Sequence, residues 1–174
     1  MTVSGIPGDG ATRLFASLRS RKLRAAFAES CTGGLCAAAI TAIPGSSAVF
    51  LGGVVSYSNE SKRDLLGVRE ATLEAHGAVS AEAVREMAEG ALRRFGADCS
   101  LAVSGVAGPG GGTIEKPVGT VWIGARVREA AIERLHRFDG DRDAVRRSAR
   151  EAAFALLADL LSAGASGACE PDQA

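Results

Sequence analysis

The sequence predicts an α/β domain, a three-layer α/β/α sandwich around a mixed sheet. Three observations carry this. Helical and strand-like hydrophobic patterns alternate through the first two-thirds of the chain, as parallel strands with crossover helices require. Two strand patterns then follow each other directly across Arg128-Glu129, which adds an antiparallel hairpin. No period of roughly 20–50 residues repeats, so a solenoid is excluded.

Residues 1–10 are polar and Gly-rich and are expected to be a disordered lead-in. The domain is expected over 11–162, with a frayed tail over 163–174. Leu14, Phe15 and Leu18 share one face of a helix over 11–21. Leu23 to Ala28 reads as a buried strand that runs into Glu29-Ser30-Cys31-Thr32-Gly33-Gly34. A helix over 35–43 stops at Pro44-Gly45. Val49 to Ser56 reads as a strand. Short helices are expected over 60–66, closed by Gly67, and 72–76, closed by Gly77. Ser80 is a candidate N-cap for a helix running to Phe95 and stopped by Gly96. Cys99, Leu101 and Val103 alternate within a strand over 98–104. A Gly-rich loop spans 105–117, the hairpin strands cover 118–127 and 131–138, and a last helix runs from Asp141 to about Leu161. Asp141 and Asp143 place negative charge in its first turn, where the helix dipole favours it.

Composition narrows the function. The chain has 174 residues, 20 Lys plus Arg against 20 Asp plus Glu, and 5% aromatic residues. A net charge of zero gives no pull toward nucleic acid or an anionic membrane, and so few aromatics make a base-stacking platform hard to build. No signal segment or apolar run long enough to span a bilayer is visible, so a cytoplasmic protein is expected. Cys31, Cys36, Cys99 and Cys169 form no C-x-x-C pair, and His76 and His136 stand alone, so no metal site is expected.

Four segments could carry chemistry. Ser30-Cys31-Thr32-Gly33-Gly34 lies at a strand-to-helix junction. A hydroxyl there could attack a carbonyl beside backbone N–H groups, and Gly33-Gly34 would admit substrate close to the backbone. Ser30 or Thr32 could equally be a plain N-cap. Tyr57-Ser58-Asn59-Glu60-Ser61-Lys62 holds the one tyrosine of the chain and a lysine that burial would turn into a base; a surface lysine is the alternative. The spacing fits neither Y-x-x-x-K nor S-x-x-K, so any Ser–Lys pair must come from tertiary structure. Ser104-Gly105-Val106-Ala107-Gly108-Pro109 follows a strand, a common ligand position. It matches neither a dinucleotide fingerprint nor a Walker A motif and could be a connector. Arg142, Arg146 and Arg150 share a helix face that could hold a phosphate or pair with Asp143 and Glu151.

Taken in order, Ala28-Glu29-Ser30-Cys31-Thr32-Gly33-Gly34, Pro44-Gly45-Ser46-Ser47, Gly53 to Asn59, Lys62, Leu66-Gly67-Val68, His76 to Ser80, Ser104 to Pro109, Lys116 to Val121 and Gly140-Asp141-Arg142 closely resemble the CinA C-terminal domain family over residues 11–161. The similarity is to its stand-alone amidase branch rather than to members fused behind a nucleotide pyrophosphatase-like domain. Leu23 to Phe27 is less β-branched than the family's usual strand, and Gly110 stands where an Asp is common. The resemblance implies deamidation of nicotinamide mononucleotide through Ser30, Tyr57 and Lys62. It implies no cofactor and no metal. The expected substrate-binding set is Thr32, Gly33, Gly34, Asn59, Ser104, Gly105, Gly108 and Arg142. A homo-oligomer acting on a small molecule, without nucleic acid or membrane, is expected. The alternatives are a non-catalytic pyridine-nucleotide-binding module and a serine amidase acting on another small amide.

Overall fold

The computed structural model describes residues 10–163. Most of the expected lead-in and tail, Cys169 included, lies outside the described residues. Twelve elements follow one another: α1 (Gly10–Arg21), β1 (Ala25–Glu29), α2 (Leu35–Thr41), a 3-10 turn (Ser46–Ala48), β2 (Phe50–Val55), α3 (Asn59–Leu66), α4 (Glu70–His76), α5 (Ala81–Phe95), β3 (Cys99–Gly105), β4 (Thr120–Val127), β5 (Ala130–Arg137) and α6 (Arg142–Ala163). The strands form one sheet in the order β2-β1-β3-β4-β5. β2, β1 and β3 are parallel, and β4 and β5 are antiparallel to their neighbours, so the sheet is mixed as expected.

Alternation along the strands divides the core in two. Ala25, Phe27, Leu101, Val103, Val121 and Ile123 pack with Leu14 and Leu18 of α1, Ile40 of α2 and Phe154 of α6. Ala26, Ala28 and Ala102 face Leu66 of α3 and Val84, Met87 and Ala91 of α5. On the α5 side the central sheet residues Ala26, Ala28, Ser100, Ala102 and Gly124 are small, and this helix comes close. A Cβ on Gly124 would lie 2.9 Å from the Val84 carbonyl oxygen, and Ser100 Oγ donates to Ala88 O at 2.7 Å.

Local shifts from the expected boundaries have physical causes. β1 starts at Ala25 rather than Leu23 because Leu23 N–H closes α1 onto Leu18 O and Arg24 N–H donates to Asp98 Oδ2. The strand then extends through Glu29. α6 starts one residue after Asp141, whose Oδ1 accepts the Ala144 N–H at 2.8 Å as an N-cap does. Ser80 caps α5, accepting from Ala83 N–H at 3.1 Å, and Gly67 and Gly96 end α3 and α5 in the left-handed conformation. Helices α1 and α6 each reach one residue beyond the expected domain limits. Among the described residues no helix is long and apolar enough to cross a membrane.

Candidate active site

The three parallel strands end on one side of the sheet, and the chemistry-bearing segments leave from those ends. Ser30 follows β1, Ser56 to Lys62 follow β2, and Ser104 and Gly105 close β3. The strand order reverses at β1, since β2 lies on one side of it and β3 on the other. In open α/β sheets such a place opens a crevice beyond the carboxyl ends of the strands.

That crevice is a cleft of about 270 Å³. It is lined by Ser30, Cys31, Tyr57, Asn59, Lys62, the 104–111 loop and Arg142. Eight of the expected site residues are brought together there: Ser30, Tyr57, Lys62, Asn59, Ser104, Gly105, Gly108 and Arg142. Thr32, Gly33 and Gly34 are not among the lining residues. Gly33 (φ 61°) and Gly34 (φ 97°) supply left-handed turn geometry instead. Their N–H groups are also committed, Gly33 to Ser30 O and Gly34 to Glu29 Oε2, both at 3.0 Å. The turn thus engages the N–H groups of Gly33 and Gly34 itself.

Lys62 Nζ lies 3.0 Å from Ser30 Oγ and donates to Ser56 O at 2.7 Å. Ser58 and Ser61 form a capping box that starts α3, and one residue later the helix directs Lys62 inward. Its side chain is 1% exposed, against the surface alternative. Burial lowers its pKa, opposed only by the nearby Cys31 thiol. Ser30 is not an N-cap. The N-cap of α2 is Gly34, which has no side chain to offer, and the Ser30 hydroxyl faces Lys62. The hydroxyl of Tyr57, a residue 60% exposed, accepts from Arg142 Nη2 at 2.9 Å. Arg142 Nη1 also reaches Gly108 O at 2.8 Å, so one guanidinium joins two walls of the cleft.

The arginine stripe of α6 divides by neighbour. Arg146 donates to Cys31 O and Thr32 O, and Arg150 pairs with Glu151 at 2.6 Å. Two features were not read from sequence. Glu29, 2% exposed, takes the N–H groups of Gly34, Cys36 and Ala37 and so caps α2 from the preceding strand. A charged residue directly before a turn and a helix was the available signal. Cys31 lines the cleft beside Ser30, and burial pushes its thiol up from 9.0 to about 11. It therefore stays protonated near neutrality and does not compete as a nucleophile.

A buried Ser–Lys pair at the strand ends of a mixed α/β sheet sets a hydroxyl beside an amine, a pairing that nucleophilic catalysis can use. Residues 9–161 match the CinA C-terminal domain, and the chain belongs to that family. It is 55% identical over 142 residues to the nicotinamide-nucleotide amidohydrolase PncC of Escherichia coli, covering 81% of this chain and 86% of that protein. It is 52% identical over 139 residues to a CinA-like protein of Thermotoga maritima, covering 80% of this chain but only 33% of that protein. The chain thus spans about a third of the length of such CinA-like relatives. A crystal structure of the competence/damage inducible protein CihA from Agrobacterium tumefaciens superposes with a TM-score of 0.85 at 43% identity, covering 91% of this chain and 99% of that one. A CinA superfamily protein from Klebsiella pneumoniae gives 0.85 at 43% identity over 88% and 96%.

Proposed function

We propose that this chain hydrolyses the carboxamide of nicotinamide mononucleotide, giving nicotinate mononucleotide and ammonia. The observation that carries the reading is the 3.0 Å contact between Ser30 Oγ and a buried Lys62 that has no carboxylate partner among the described residues. The amidohydrolase relative of similar length supports the substrate class.

An amide is a weak electrophile with a poor leaving group. Neutral Lys62 takes the Ser30 proton as Oγ adds to the carboxamide carbon. The resulting ammonium returns that proton to the nitrogen as the C–N bond breaks, and ammonia departs. Water, deprotonated by the same amine, then adds to the acyl-Ser30 ester, and the ammonium returns that proton to Ser30 Oγ as the ester C–O bond breaks. Lys62 keeps its orientation through Ser56 O at each stage. Tyr57 accepts from Arg142 and so keeps its own proton to donate toward substrate at the cleft mouth. Asn59, Ser104, Gly105 and Gly108 contact the substrate, and Arg142 meets the phosphate with its remaining N–H groups. The reading needs no cofactor, because the chemistry uses only water, and we further propose a cytoplasmic homo-oligomer.

The test is ammonia release across a panel of amides. Nicotinamide mononucleotide is expected to be turned over in preference to the riboside and to free nicotinamide. Release from a different small amide alone would make the chain an amidase of another substrate. Binding of the mononucleotide without release would make it a binding module.

A further inference from the structure

The turn that carries Ser30 is gripped from two sides by charged side chains that the chemistry above does not use. From β1, the Glu29 carboxylate accepts N–H groups at the start of α2, from Gly34 and Cys36 at 3.0 Å and Ala37 at 2.8 Å. From α6, Arg146 donates Nε to Cys31 O at 3.2 Å and Nη2 to Thr32 O at 2.9 Å. The signs match the backbone: the anion takes N–H groups and the cation takes carbonyls. Gly33 lies against the cation. A Cβ there would stand 3.4 Å from Arg146 Nη2. Arg146 Nη1 also lies 3.7 Å from Asp143 Oδ1, an exposed acid on its own helix.

Within the turn, the Ser30 backbone is tied to Val103 O and by its carbonyl to Gly33 N–H, but the segment after it bends through two left-handed glycines. Such a segment has little intrinsic preference to hold one geometry. The external fork on consecutive carbonyls supplies it, and a guanidinium is the side chain whose planar donors can span two acceptors.

We infer that Arg146 is a positioning residue, which with Glu29 opposite holds Ser30 Oγ on Lys62 Nζ. The inference rests on the reading of Ser30 as the nucleophile. Displacement of a reacting group by about 1 Å costs on the order of 100-fold in rate. The loss falls on kcat because ground-state substrate contacts lie elsewhere in the cleft.

The experiment measures kcat and KM for nicotinamide mononucleotide, with thermal melts, on the full chain and on Arg146→Met, Arg146→Lys and Glu29→Gln. Arg146→Met is expected to lose about 100-fold in kcat with little change in KM. Arg146→Lys is expected to recover the melting temperature but to remain at least about tenfold down in kcat, since one ammonium cannot fork onto both carbonyls. Glu29→Gln is expected to lower kcat likewise. If Arg146→Met does not fold, the lysine variant decides. Recovery of kcat in step with melting temperature in Arg146→Lys, wild-type kcat in either folded arginine variant, or a loss confined to KM would overturn the inference and leave the Ser30 reading standing. A wild-type chain that releases no ammonia would remove both.

Discussion

Lys62 is the residue on which the chemistry can be tested most sharply. Its amine is buried against one carbonyl and one hydroxyl, and no acid among the described residues pairs with it. Burial lowers its pKa, so the neutral form that acts as base gains population as pH rises. Below the lowered value, kcat/KM is expected to climb about tenfold per pH unit, and above it to level off. Lys62→Arg, permanently protonated, is expected to lose about 10²–10⁴-fold at every pH. Stability carries the same signature. Between the lowered folded value and the unfolded value of ~10.4 the folded state binds fewer protons, so stability rises with pH by at most ~1.4 kcal/mol per unit. For a chain of this size that is roughly 3–6 °C in melting temperature per pH unit. Buried thiols act in the opposite sense: Cys31 is raised to about 11 and Cys99 to about 12, which lowers stability as pH rises above 9.0. The readout is therefore the difference between wild type and Lys62→Met below pH 9.0, before the buried thiols titrate. A pH-independent difference together with an active Lys62→Arg would refute the argument.

Ser30→Ala is expected to abolish ammonia release with a melting curve close to wild type, because the hydroxyl caps no helix and Lys62 keeps Ser56 O. A folded variant with normal turnover would remove Ser30 as nucleophile. Arg142→Ala is expected to weaken use of the mononucleotide roughly 10- to 150-fold more than use of the riboside, the effect of one charge-assisted contact. Equal losses on both would restrict Arg142 to its ties with Tyr57 and Gly108. Gly90→Ala would place a methyl 1.9 Å from Leu66 O where α5 crosses α3, and about 3 kcal/mol of overpacking lowers the melting temperature by roughly 6–12 °C. An unshifted melt would mean that the two helices separate readily.

The elements were legible where local chemistry sets them. Gly67, Gly77 and Gly96 end their helices, and Ser80 starts one, as the sequence predicts. The hairpin across Arg128-Glu129 was visible because two apolar patterns lie a turn apart. At the site, Ser30 and Lys62 could be named but not joined, because 32 residues separate them and only the pairing of β1 with β2 brings them within 3.0 Å. Gly33 and Gly34 have positive φ, a need that sequence does not separate from close approach of substrate, since glycine signals both. Arg146 was grouped with Arg142 by helical spacing. One turn along α6 is enough to carry a guanidinium from the cleft to the underside of the Ser30 turn.

Glu29 and Lys62 are buried charged-type residues that the fold treats in opposite ways. Glu29 receives three N–H groups and the positive end of α2, so an anion there is compensated. Lys62 receives a carbonyl and a hydroxyl, which serve a neutral amine and leave an ammonium poorly solvated. Had stability alone shaped the second position, an apolar side chain of similar volume would fill it without the desolvation penalty. Only a group that must give and take a proton has reason to be an amine there, 3.0 Å from a serine at the edge of a cleft. The uncompensated lysine thus argues for catalysis over binding, because a cleft that merely held a nucleotide would have no use for a base hidden behind the hydroxyl.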